Sequence, residues 1–382
     1  MRPLKIFCSI ACLLILASNV WSMSRWSEAR GVYDDVCYLR QAHLFQKFGF
    51  RGLDTDIARD DDGYLSAKLK AIGFAAWDDV TKAPCHVPMP SKKQVIQYPP
   101  GTGFALALFP EGLQVISLYV SATVILFGFA LLAIFYARST ASTLLATAGG
   151  CLAIYGMINP TKASYSMAPT MVMCALAGFL TARLFLAEQR RHRLLLTGLI
   201  GLLIGLAVNF RLPNLFLSSG YFVFFFISFL VSRKMETLLQ GALFGATFLA
   251  GVAPTLLANA INAGSPFKTT YGEGDVTPPE FSLDVIWQYV ADMQFSLLTV
   301  TIAATVMSLR SHLPDGIKQV ALVTAVNLLV NLAFFLSHPV FTSYYMVPIA
   351  MLSLWSLLFA FLMRPAEAVD GGGARQVAVA RS

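Results

Sequence analysis

The chain has 382 residues, of which 56% are hydrophobic and 13% charged, against roughly 25% charged in an ordinary soluble domain. So few charges cannot coat a soluble core of that size. The formal net charge of +7 would suit a nucleic-acid partner, but it sits in short joints between apolar runs, which argues against one.

The runs are continuous rather than alternating, so they predict helices, with about 20 apolar residues to a crossing. The fold expected is an all-α polytopic membrane protein of about ten spans. They lie near Leu4–Trp21, Leu113–Ala137, Ser142–Ile158, Ser166–Ala187, Leu194–Phe210, Leu215–Val231, Leu238–Ala258, Val290–Leu309, Val320–Leu336 and Phe341–Met363. With the N-terminus inside, the cytosolic joints hold Arg138, Arg190, Arg191, Arg193, Arg233, Lys234, Arg310 and Lys318. The short external joints hold Lys162, Arg211 and Lys268. That asymmetry follows the positive-inside rule and orients the protein; the membrane expected is a bacterial inner (plasma) membrane. Residues 1–22 read as an anchor in preference to a cleaved signal peptide, although Arg2, Lys5, Ala17 and Ser18 suit either.

Residues 23–103 form a large external loop, rich in Asp where the rest of the chain is not. Val36, Leu39, Leu44, Phe45 and Phe48 give an apolar stripe at helical spacing that ends at Gly49. Asp34 and Asp35 open that helix. An adjacent acidic pair suits general-base work, because each carboxylate raises its neighbour's proton affinity; helix capping favours Asp at the same place. Leu65 to Phe74 predicts a second, interfacial helix, and Asp60, Asp61 and Asp62 before Gly63 read as a solvated turn. Cys37 and Cys85 share this oxidisable loop, as a disulfide or as two thiols. Pro84, Pro88, Pro90, Pro99 and Pro100 enforce an extended return to the membrane, and Gly103 to Phe109 is too short to span.

Residues 104–364 form the multi-span domain. Arg211, in the sequence NFRLPN between two spans, is costly there unless paired, and its planar fork suits phosphate oxygens. Lys162 and Lys268 lie on the same side, as phosphate ligands or as residues reaching to the interface. The five histidines lack zinc-ligand spacing. Residues 365–382, Gly-rich at their centre, read as a disordered cytosolic tail.

Three of these segments together resemble the membrane-embedded C-type (GT-C) glycosyltransferases, in the branch of protein O-mannosyltransferases and the lipid A aminoarabinose transferase. They are Asp34 and Asp35 with Tyr38 and Leu39, then Tyr98-Pro99-Pro100-Gly101, then Asn262 through Tyr271. Where such proteins often have an acidic residue before a Pro at the fourth span, this chain has Ser166-Met167-Ala168-Pro169; where they often have Arg-Tyr near the last span, it has Ser343-Tyr344-Tyr345. The resemblance implies inverting transfer of a sugar from a polyprenyl-phosphate donor to a glycan, lipid or protein acceptor at the external face. Asp34 and Asp35 would be catalytic, Arg211, Lys268 and Lys162 would bind the donor phosphate, and Tyr98, Tyr271 and Tyr345 would line the cavity. No soluble cofactor is implied, and a divalent metal is left open. A flippase or other transporter of an anionic lipid-linked substrate, a surface-polysaccharide polymerase or ligase, and an inactive relative are the rival readings.

Overall fold

The computed structural model describes residues 1–27, 35–156, 163–187, 189–271, 279–310, 312–338, 341–342 and 344–364; the tail expected to be disordered lies outside them. Among the described residues the helices are α1 (Arg2–Ser24), α2 (Val36–Phe48), α3 (Tyr64–Ala71), α4 (Gly101–Ala107), α5 (Gln114–Tyr136), α6 (Thr140–Gly156), α7 (Met167–Leu186), α8 (Arg190–Val208), α9 (Ser219–Ser232), α10 (Met235–Ala263), α11 (Leu283–Ala291), α12 (Met293–Arg310), α13 (Asp315–Ser337) and α14 (Val347–Leu362). A short antiparallel hairpin pairs β1 (His86–Pro88) with β2 (Gln94–Ile96), Val87 opposite Val95.

Among the described residues, eight helical stretches are long and apolar enough to cross a membrane: α1, α5, α7, α8, the run Leu212–Ser232 that ends in α9, α10, α12 and α13. The chain is therefore an all-α multi-pass membrane protein. Burial is inverted relative to a soluble protein. Phe7, Leu14, Phe226 and Val231 are each more than 60% exposed, while Asn209, Asn214, Asn327 and Asn331 are each below 5%. Apolar side chains outside and satisfied amides inside are what a lipid solvent selects.

Those amides splice helices together. Asn327 Oδ1 accepts the Gly220 N–H at 2.6 Å, joining α13 to α9. Between α8 and α10 the backbones nearly touch: a Cβ on Gly205 would lie 2.2 Å from the Phe248 carbonyl oxygen, so only glycine permits this approach. Pro254 then interrupts α10, and the Asn209 side chain enters the gap. Its amide donates to the Gly251 carbonyl at 2.7 Å and accepts the Thr255 N–H at 2.9 Å, bridging two groups that a regular turn would join directly.

The loop after α1 has a core of its own. Val36 of α2 packs on Leu65 and Leu69 of α3 and on Ala83, so the second helix, expected at the membrane interface, lies against α2 instead. A disulfide joins Cys37 to Cys85. Beside it Arg40, fully buried, donates to the carbonyls of Thr55 and Asp56 at 2.8 Å each and to His86 Nε2 at 3.0 Å. Since a guanidinium only donates, Nε2 must accept; the imidazole proton therefore sits on Nδ1, 3.0 Å from the Pro84 carbonyl. Donor atoms of Cys37, Cys85 and His86 lie within 4.8 Å of one another, but sulfurs bonded to each other offer no thiolates to a metal. The triple-aspartate turn is tied to α2, with Lys47 bridging Asp61 and Asp62 and His43 meeting Asp62 at 2.9 Å.

Candidate active site at one end of the bundle

The three sequence segments converge in space. Along α2 every residue from Val36 to Phe45 is buried except His43, which is half-buried, because the helix is wedged between the loop core and the bundle. Its stripe is thus wider than the sequence periodicity indicates. Tyr38 stacks on Tyr98 with ring centroids 4.8 Å apart, and Tyr98 meets Tyr271 edge-on at 6.3 Å. Thr270 donates to the Gln97 carbonyl at 2.9 Å, fastening the loop after α10 to the Tyr-Pro-Pro-Gly segment. Asn262, at the end of α10, accepts the Thr55 N–H at 2.9 Å and donates to the Leu53 carbonyl at 2.8 Å.

Gly101 gives that segment its purpose. Its N–H donates to the Asn209 carbonyl at 2.7 Å, and a Cβ there would fall 2.6 Å from the same oxygen. Thr102 donates to the Phe210 carbonyl at 3.2 Å. Residues 209 and 210 are held from one side by α10 and from the other by this turn, and Arg211 follows them.

Arg211 is 7% exposed. Its guanidinium carbon stands 4.9 Å from the Tyr344 ring centre and 5.1 Å from that of Tyr345, and Nη1 donates to the Met167 sulfur at 3.1 Å. No carboxylate among the described residues forms an ion pair with it. A sulfur and two ring faces neutralise a guanidinium far less than an anion does.

Asp35 is 1% exposed. Although it occupies the N-cap of α2, its side chain does not cap that helix; Oδ1 accepts the Tyr165 N–H at 3.3 Å instead. The capping explanation of the acidic pair therefore does not describe Asp35. Burial pushes the Tyr38 phenol well above its ordinary pKa, Tyr271 and Asp35 add to the rise, and Ser164 and the Arg211 cation oppose it. Asp35, Tyr38, Tyr271 and Arg211 thus share one electrostatic neighbourhood.

Of the candidates read from the sequence, Asp35, Arg211, Tyr98, Tyr271 and Tyr345 gather here. Lys268 is exposed, three residues before Tyr271, and its side chain joins none of these contacts. Asp34 and Lys162 lie outside the described residues. Sequence reasoning missed Asn209 and Met167 as supports of Arg211; the Asn on each side of Arg211 in NFRLPN was the available signal, since buried amides commonly brace irregular backbone between spans.

Among the described residues, the fold and the site define a multi-pass membrane protein in which buried Arg211 and Asp35 lie with the buried Tyr38 and the half-buried Tyr98, Tyr271, Tyr344 and Tyr345 at one end of the bundle. Compared with known proteins, the chain matches no family model, no curated protein and no solved structure.

Proposed function

We propose that the protein is an inverting glycosyltransferase that moves a sugar from a polyprenyl-phosphate donor to an acceptor at the external face of a bacterial inner membrane. The single observation that carries this reading is Arg211, a buried cation among tyrosine rings without a carboxylate partner among the described residues. A donor phosphate would supply the missing anion, and its leaving-group charge would be stabilised where water is scarce. The guanidinium also stands over Tyr344 and Tyr345, at the element where the resembling enzymes often carry their own arginine, so a neighbouring span would supply that group.

In this scheme the acceptor hydroxyl attacks the anomeric carbon, the bond from that carbon to the phosphate oxygen breaks, and Asp34 takes the hydroxyl proton. Asp35, held by the Tyr165 N–H, positions that turn. Tyr98 and Tyr271 offer ring faces to the sugar, and Lys268 and Lys162 approach the phosphate from the rim. Topologically, α6 and α14 join the eight longer stretches to give ten crossings, with both termini cytosolic and the loop after α1 external.

The test is transfer of sugar from a polyprenyl-phosphate donor, measured per folded protein. Asp34→Asn should lose roughly 100- to 10,000-fold in rate. Arg211→Ala should weaken donor use, and Arg211→Lys should restore it only in part because the fork is lost. Full transfer by Arg211→Ala, or near-wild-type turnover by Asp34→Asn, refutes the corresponding role.

A further inference from the structure

The bundle has a second feature at its other end. Helices α5, α7 and α14 start beside the tyrosine cluster, at Gln114, Met167 and Val347, and α8 finishes there at Val208. Their opposite ends surround a cleft of about 420 Å³. Twenty residues of α7 put roughly 30 Å between the two places, so the cleft lies about one hydrocarbon thickness from the tyrosines.

Its lining combines two chemistries. Arg138, Arg183 and His192 contribute nitrogen groups, while Leu195, Leu196 and Met363 form apolar walls. Among the described residues no acidic side chain lines it and none pairs with these three; the nearby Arg190 already meets Glu236 at 3.8 Å. Arg138, Arg183 and His192 are exposed, as is Leu195 at 60%. Unpaired guanidiniums above exposed leucine, at the end of membrane-crossing helices, match a charged headgroup joined to an acyl chain. A soluble anion would use the first and waste the second. A zwitterionic lipid would bring its own cation to a site that already holds several.

We infer that this cleft binds an anionic phospholipid, with its phosphate between Arg138 and Arg183 and one acyl chain along Leu195 and Leu196. The inference is independent of the activity proposed for the tyrosine cluster.

The experiment is native mass spectrometry of the full chain released from detergent containing either dioleoyl phosphatidylglycerol or dioleoyl phosphatidylcholine. Wild-type protein should retain one phosphatidylglycerol in preference to phosphatidylcholine. Arg138→Gln/Arg183→Gln should weaken that retention roughly thirtyfold. Leu195→Trp, which fills the cleft and keeps every charge, should weaken it as well, whereas Arg191→Gln/Lys234→Gln, basic residues that do not line the cleft, should not. Equal retention of the two lipids would overturn the inference. So would undiminished binding in Leu195→Trp, an equal loss in Arg191→Gln/Lys234→Gln, or displacement of the lipid by millimolar glycerol phosphate. Retention that appears only after residues 365–382 are deleted would also overturn it, assigning the cleft to the chain's own tail.

Discussion

His86 should make the loop after α1 acid-sensitive. The imidazole is buried and its Nε2 accepts from Arg40 at 3.0 Å, so a second proton would have no place to go and would face a like charge. Burial first, and Arg40 second, lower its pKa from the ordinary 6.5 to about 3. Because the folded value is the depressed one, this neutral histidine's contribution is fully present above pH 6.5 and is lost as pH falls toward 3. Between those limits the opened loop binds a proton that the closed loop refuses. At about 1.4 kcal/mol per pH unit, opening becomes roughly 2 kcal/mol easier by pH 5, and the whole interval approaches 5 kcal/mol. Hydrogen exchange of peptides covering β1, β2 and the first half of α2, corrected for intrinsic rates, reads this directly. Protection should fall roughly thirtyfold from pH 7.5 to pH 5. In His86→Gln, whose side-chain oxygen still accepts from Arg40 but takes no proton, that slope should flatten. The same slope in His86→Gln would refute the reasoning.

The Cys37–Cys85 bond closes 48 residues, worth about 4 kcal/mol through the entropy of the opened chain. Cys37→Ser/Cys85→Ser should accordingly lower the loop's opening free energy by that order in the same exchange measurement, and unchanged protection would count against it. Gly101→Ala must push its new Cβ off the Asn209 backbone, at a cost of roughly 1–3 kcal/mol. Sugar transfer should drop at least as much as thermal stability does, because Arg211 moves with the backbone segment that follows α8; a stability loss with unaltered transfer would detach Gly101 from the site. Asn209→Ala leaves the Gly251 carbonyl and the Thr255 N–H without their bridge, and folded yield in detergent should fall more than for Asn209→Asp, whose carboxylate still accepts from Thr255.

Much of this protein follows from local sequence. Continuous uncharged runs of about 20 residues resolve as helices in lipid, so the eight long apolar helices are legible from hydropathy alone, as are the helix that ends at Gly49 and the lone arginine between two apolar runs. Basic joints at Arg190, Arg233 and Arg310 fall at one end of the structure, as their spacing requires. Other features depend on partners far away in the chain, and no periodicity encodes them. Asp35 alone is compatible with a cap or a site; the Tyr165 N–H, 130 residues away, decides which group it meets. The sequence permits a disulfide or two thiols, and the packing of α2 beside the hairpin brings Cys37 and Cys85 together. Gly101 reads as an ordinary turn until Asn209 is found against it. Hydropathy is a property of single residues summed along the chain, and so it survives in the sequence. A site made of α2, two loops and the ends of α7, α8 and α14 is a property of distances between residues, which only the packed bundle sets.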